Sequence, residues 1–126
     1  MKLEKDERIE DLQCDGLQII QNKNFYTFTS DSVVLANFIS AKRGDKCVEI
    51  GTGCGVISIL LSKKISFEKI TAFEIQEEMF SLAKKNVELN NLENKIEIVH
   101  DDIIDFEKYI KSGSIDVVFS NFNSFR

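Results

Sequence analysis

The residues Val48-Glu49-Ile50-Gly51-Thr52-Gly53-Cys54-Gly55-Val56 carry the densest chemistry in the chain. A short apolar run ends in an acid, glycine then stands at every second position, and a helical run follows. Glycine has no Cβ and tolerates positive φ, so such a loop serves where a ligand must come close to backbone. A tight strand-to-helix turn with no ligand is the other reading. The spacing is G-x-G-x-G, not the G-x-G-x-x-G of dinucleotide sites. In those sites the loop and helix N-terminus cradle a pyrophosphate, and the carboxylate of Glu49 would oppose that anion. An acid in this place suits a ligand that is cationic and free of phosphate.

The acids downstream narrow the ligand further. Glu74 closes the next predicted strand, about 20 residues beyond the loop, where a carboxylate commonly accepts both ribose hydroxyls. A solvated surface acid is the plainer alternative. Ile75 follows and is placed to pack on an adenine ring. Asp101 and Asp102 come after the third predicted strand; Asp102, with Ile103 beside it, is the preferred acceptor for an exocyclic adenine amine. Asp102 also reads as the N-cap of a helix over 104–110, and one carboxylate can do both. A cationic ligand built on adenosine is S-adenosylmethionine, with its sulfonium and ammonium. The predicted cofactor residues are Glu49, Gly51, Thr52, Gly53, Gly55, Glu74, Ile75, Asp102, Ile103 and Asp31, the last first as a helix N-cap and second as a pocket wall. Asn121 ends the fourth predicted strand; its amide can accept a hydrogen bond from a substrate amine, or it is a turn residue. It is the one catalytic candidate. His100 reads as a polar strand-end residue, Phe25, Tyr26 and Phe28 as core, and Lys84, Lys85 and Lys95 as solvated charge.

These residues must be held by a framework, and the pattern supplies one. Apolar strands are predicted at 46–50, 70–74, 96–99 and 115–120, separated by helical runs at 56–64, 77–90 and 104–110. Such β-α-β units build a parallel sheet with right-handed crossovers, here a Rossmann-like, doubly wound α/β fold. Its ligand belongs at the carboxyl ends of the strands, near the switch point. Upstream, residues 4–12 read as a short helix or loose arm and 17–21 as a strand. A turn is predicted at 22–24 and a second strand at 25–28. Thr29-Ser30-Asp31 offers N-caps for an apolar helix running to Ile39. Residues 1–44 are therefore expected to cover the cofactor site and 45–126 to form the cofactor-binding core, within one domain.

The 126 residues are 43% hydrophobic and 29% charged, the profile of a globular chain. A net charge of −5 argues against a broad nucleic-acid surface, though not against a local basic patch. Three cysteines without paired spacing suggest free thiols in a reducing compartment. A single histidine far from them gives no reason to expect a metal. The charged start is unlike a signal peptide. The apolar run 56–61 is too short to span a membrane, so a cytoplasmic protein with no membrane contact is expected. Proline is absent.

Taken together, these residues resemble the class I methyltransferases. More narrowly, they are similar to the bacterial family that methylates the exocyclic amine of an adenine in valine tRNA. Arg8-Ile9-Glu10-Asp11-Leu12-Gln13, Gly16-Leu17-Gln18-Ile19-Ile20-Gln21 and Phe28-Thr29-Ser30-Asp31-Ser32-Val33-Val34-Leu35-Ala36 look like that family's N-terminal signature. Glu49 to Gly55 matches its cofactor loop, and Phe73-Glu74-Ile75-Gln76 and Asn86-Val87-Glu88-Leu89-Asn90 match its second strand end and the helix that follows. The resemblance implies S-adenosylmethionine as cofactor, tRNA as partner, and Asn121 as the Asn of an Asn-Pro-Pro-Tyr motif. Here Phe122-Asn123-Ser124-Phe125-Arg126 follows instead. It also implies further strands, so the chain reads as truncated after the fourth, whose bare edge invites a homodimer. Two alternatives stay open: a cofactor-binding fragment without turnover, and a methyltransferase for a small molecule or protein.

Overall fold

The computed structural model describes residues 3–25 and 30–121. Four parallel strands form the central sheet: β3 (Lys46–Ile50), β4 (Lys69–Phe73), β5 (Ile96–Val99) and β6 (Val117–Ser120), in the spatial order β5-β4-β3-β6. Cys47 pairs with Ile70 and Val117, and Ile50 with Phe73 and Ser120. The chain runs outward from β3 through β4 to β5, then returns to the other side of β3. That reversal opens a crevice beyond the strand ends.

Period-2 alternation divides the sheet into two apolar faces. Cys47, Ile70, Ala72, Ile96 and Phe119 belong to the larger core, with α2 (Val56–Leu61) and α3 (Glu77–Leu89). All six residues of α2 are buried, whereas α3 buries only the stripe Met79, Leu82, Ala83, Asn86 and Val87. Val48, Phe73 and Val99 form a smaller cluster on the other face with Ile110. Ahead of the sheet, β1 (Glu7–Asp11) and β2 (Gln18–Asn22) make an antiparallel hairpin that packs on α3 through β2. Helix α1 (Ser30–Phe38) packs on α2.

Three local expectations change. Residues 7–11 form β1, not a helix or loose arm. The hairpin partner supplies their backbone bonds, Gln21 donates to Glu10 (2.8 Å), and Lys85 of α3 pairs with Glu7 (2.5 Å). Lys85 is therefore engaged with a nearly buried acid instead of being free surface charge. The run after Asp102 is a 3₁₀ segment over Ile103–Lys108, because Asp105 leaves helical backbone angles (φ −95°, ψ 20°). Helix α1 begins at Ser30, so Asp31 lies inside its first turn and is not the cap. Phe25 is in a bend, packed against the main core. The predicted strand at 25–28 otherwise lies outside the described residues, as do the motif residues at 26–29 and the tail at 122–126. No helix among the described residues is long and apolar enough to cross a membrane.

Candidate functional site

A cleft of about 300 Å³ opens at the carboxyl ends of β3, β4 and β5. Its walls are Ile50, Gly51, Phe73, Glu74, Ile75, Gln76, Asp101, Asp102 and Ile103. Every charged residue among them is an acid. The floor is the glycine loop, whose Gly51, Gly53 and Gly55 all have left-handed backbone (φ 70°, 59° and 88°). The loop is sewn to β4: the N–H groups of Gly51 and Thr52 both donate to the Phe73 carbonyl, at 2.8 and 3.1 Å.

Glu74 is buried and clamps the loop from the side. Its Oε1 accepts from Gly53 N (2.8 Å) and its Oε2 from Gln76 N (3.1 Å). Ile75 beside it is 61% exposed and presents an apolar wall to the cleft. Asp102 accepts from Ile104 N at 3.0 Å, which makes it the N-cap of the 3₁₀ segment. Asp101 accepts from the Tyr109 hydroxyl (2.7 Å) and from Asp102 N (2.8 Å). The Tyr109 bond holds the Asp101 carboxyl below its ordinary range and raises the phenol. Tyr109 in turn stands edge-on to Phe73.

Glu49 is not in the cleft wall. It is 1% exposed beneath the loop, where its Oε1 accepts from Thr52 Oγ1 (2.6 Å) and Ser58 Oγ (2.7 Å). Its Oε2 is buried with no hydrogen-bond partner. Burial pushes this carboxyl up to about 7; the two hydroxyls oppose the rise and the charge of Glu74 adds to it.

The ten predicted cofactor residues thus separate. Gly51, Glu74, Ile75, Asp102 and Ile103 line the cleft, while Glu49, Thr52, Gly53 and Gly55 build and brace its floor. A Cβ on Gly53 would meet Met79 Cε at 3.7 Å, and one on Gly55 would meet Ala83 Cβ at 3.5 Å. Asp31 is exposed on α1 and is not among the lining residues. Asn121 follows β6, and because Ser120 pairs with Ile50 it stands level with Gly51. Its Nδ2 is 3.4 Å from the hydroxyl of buried Ser32 on α1.

Several participants went unnoticed in the sequence. Ser58 had a signal: a hydroxyl inside an all-apolar helix must find a partner. Phe73 and Gln76 stood in the matched motif around Glu74 but without a role, and both line the cleft. His100 stacks on Phe80 and has a ring nitrogen 3.2 Å from the Ile75 carbonyl, which nothing in its spacing foretold. Lys84 lies over Phe80, and Lys95 donates to the Phe67 carbonyl (3.0 Å). Among the described residues no cluster of His, Cys, Asp and Glu could hold a metal ion.

S-adenosylmethionine suits this donor set. The acid-lined walls favour a cation, the left-handed loop lets a ligand reach backbone, and the orphaned oxygen of Glu49 lacks the positive partner that a buried carboxylate calls for. The family described as the methyltransferase small domain matches residues 26–122. A tRNA1(Val) (adenine(37)-N6)-methyltransferase of Glaesserella parasuis is 27% identical over 92 residues, 73% of this chain and 38% of that protein. A putative protein N5-glutamine methyltransferase of Methanocaldococcus jannaschii is 32% identical over 111 residues, 87% of this chain and 52% of that protein. Among solved structures, a putative S-adenosyl-L-methionine-dependent methyltransferase from Methanococcus maripaludis superposes with a TM-score of 0.62 at 28% identity, covering 75% of this chain and 42% of that one. The chain spans under two fifths of the length of the tRNA methyltransferases it matches.

Proposed function

Since this chain belongs to the methyltransferase small domain family, we propose that its cleft holds S-adenosylmethionine and that the whole protein methylates the exocyclic amine of an adenine in tRNA. The observation that carries the cofactor half is the acid-lined cleft on a left-handed glycine loop, with the unpartnered Glu49 oxygen beneath it. The relatives named as tRNA adenine-N6 methyltransferases support the substrate half.

When bound, the cofactor supplies an electrophilic methyl on a sulfonium. The chain's own residues bind and align. Glu74 fixes the loop through Gly53 and retains carboxylate lone pairs for ribose hydroxyls. Ile75 and Ile103 would flank the adenine, and Asp102 would accept from its amine while capping the 3₁₀ segment. Glu49 braces the loop from beneath through Thr52 and Ser58, and its charge when ionised would favour a cationic ligand above the loop. Asn121, level with Gly51, would accept a hydrogen bond from the substrate amine and so orient it for transfer. Alignment of this kind supplies much of the barrier reduction in a bimolecular displacement. A weakly basic aromatic amine can lose its proton late, to solvent, without a dedicated base. Helix α1 reaches the end of β6 through Ser32 and Asn121, and the protein works in the cytoplasm, where its three thiols stay reduced.

A second reading is methylation of a protein amide, favoured by the Methanocaldococcus relative, which matches more of this chain than the tRNA enzymes do. A third is cofactor binding without turnover. Calorimetry with S-adenosylhomocysteine and NAD tests the first step, with S-adenosylhomocysteine expected to bind and NAD not; a preference for NAD overturns the assignment. Methyl transfer to unmodified tRNA is then compared with transfer to glutamine-containing protein. Turnover on protein alone selects the second reading, and binding with no turnover on either selects the third.

A further inference from the structure

Asn86 sits in the middle of α3 with no exposed surface. Asparagine is a poor helix former, and a buried amide must be fully bonded to be tolerated. Its Oδ1 accepts from Ile20 N (2.6 Å), and its Nδ2 donates to Ile20 O (3.1 Å) and to Cys54 O (2.8 Å). One turn later Asn90 repeats two of these three bonds on Gln18, accepting from its N (2.9 Å) and donating to its O (2.7 Å). Two turns of α3 therefore hold β2 as a neighbouring strand would. Asn86 alone adds a bond to the cofactor loop, at the carbonyl between left-handed Gly53 and Gly55.

We infer that Asn86 is a positioning residue that couples the shape of the glycine loop to the docking of the N-terminal hairpin. The inference rests on the cofactor reading above. One carboxamide satisfies both partners at once, so displacing the hairpin frees the Asn86 amide and releases the Cys54 carbonyl. Reordering the loop releases the hairpin in the same way. By linkage the effect is reciprocal: a ligand that fixes the loop also fixes the hairpin.

Asn86→Asp keeps the size and the acceptor for Ile20 N but sets a carboxylate oxygen against two carbonyls. It is expected to weaken S-adenosylhomocysteine binding by about tenfold or more in calorimetry and to speed hydrogen exchange at Gly53 and Gly55. Asn90→Ala removes the bonds to Gln18 but leaves all three Asn86 bonds, and with them the docking at Ile20, in place, so the affinity is expected to stay within about twofold. Wild-type affinity and loop exchange in Asn86→Asp would overturn the inference. If that variant fails to fold, the unaltered protein decides. S-adenosylhomocysteine should slow exchange at Ile20 as well as at the loop; protection of the loop with Ile20 unchanged refutes the coupling. Failure of the unaltered protein to bind S-adenosylhomocysteine defeats the cofactor reading instead. Loop exchange in ligand-free Asn86→Asp still tests the role of Asn86, with unchanged exchange counting against it.

Discussion

Glu49 shows how one buried carboxyl is asked to do two things. It braces the loop through Thr52 and Ser58, and its second oxygen has no partner. Its folded value of about 7 lies above the ordinary 4.5. The folded state thus keeps a proton that the unfolded chain has released between those values, so stability falls as pH rises through that window. The whole loss amounts to roughly 3 kcal/mol. Glu49→Gln should flatten the dependence: denaturant midpoints at about pH 5 and about pH 8 are expected to converge in the variant. An undiminished pH slope would show that another group titrates. Gly53 makes a second residue-scale case. A Cβ there meets only Met79 at an ordinary contact distance, so the first obstacle to Gly53→Val is its left-handed backbone, a strain of about 1–2 kcal/mol. The variant should fold with a modestly lowered midpoint yet lose S-adenosylhomocysteine affinity, because Glu74 holds the Gly53 amide in that conformation. Unchanged affinity would place the ligand elsewhere.

At the scale of elements, the 3₁₀ segment after Asp102 is both a cleft wall and a capped turn. Asp102→Ala removes the acceptor for Ile104 and should cost about 1 kcal/mol of stability; Asp102→Asn retains a cap. If both variants lose S-adenosylhomocysteine affinity equally, the carboxylate itself meets the ligand. If only the alanine does, Asp102 acts through the turn. The strands β3 to β6, the glycine loop and α3 were legible because their apolar spacing is regular and their acids fall at strand ends. β1 was not, because Glu7-Arg8-Ile9-Glu10-Asp11 offers one apolar side chain; only its partners β2 and Lys85 make it a strand. Within the site, Glu74 was legible as an acid at the right place but not as the clamp on Gly53. The Glu49–Ser58 bond and the reach of Asn86 were equally hidden, since they join residues through space.

At the scale of the molecule, the sheet is unevenly covered. Helices and hairpin pack on one face, whereas the other shows an apolar groove walled by Val48, Ile50, Ile103, Phe106, Ile115 and Val118, with Val118 59% exposed. β6 pairs with β3 along one side and with no other strand among the described residues. An apolar edge of this kind invites pairing, and a homodimer through it is the expectation the sequence raised. Sedimentation should show concentration-dependent association that Val118→Lys abolishes; a wild-type chain that stays monomeric across the micromolar range rules the dimer out. The three cysteines also divide the molecule by depth. Cys14 is half-buried in the turn of the hairpin, Cys54 is buried in the loop with its thiol pushed up to about 12, and Cys47 is buried in β3 with its thiol at about 11. Thiol reagents need access and thiolate, so half-buried Cys14 is open to labelling in the folded chain, whereas Cys54 and Cys47 can be labelled only when their own layers open. The chain therefore carries a two-stage clock with its own reference: Cys14 reports the intrinsic rate of labelling, alkylation of Cys54 times the breathing of the ligand floor, and alkylation of Cys47 the rupture of the sheet itself.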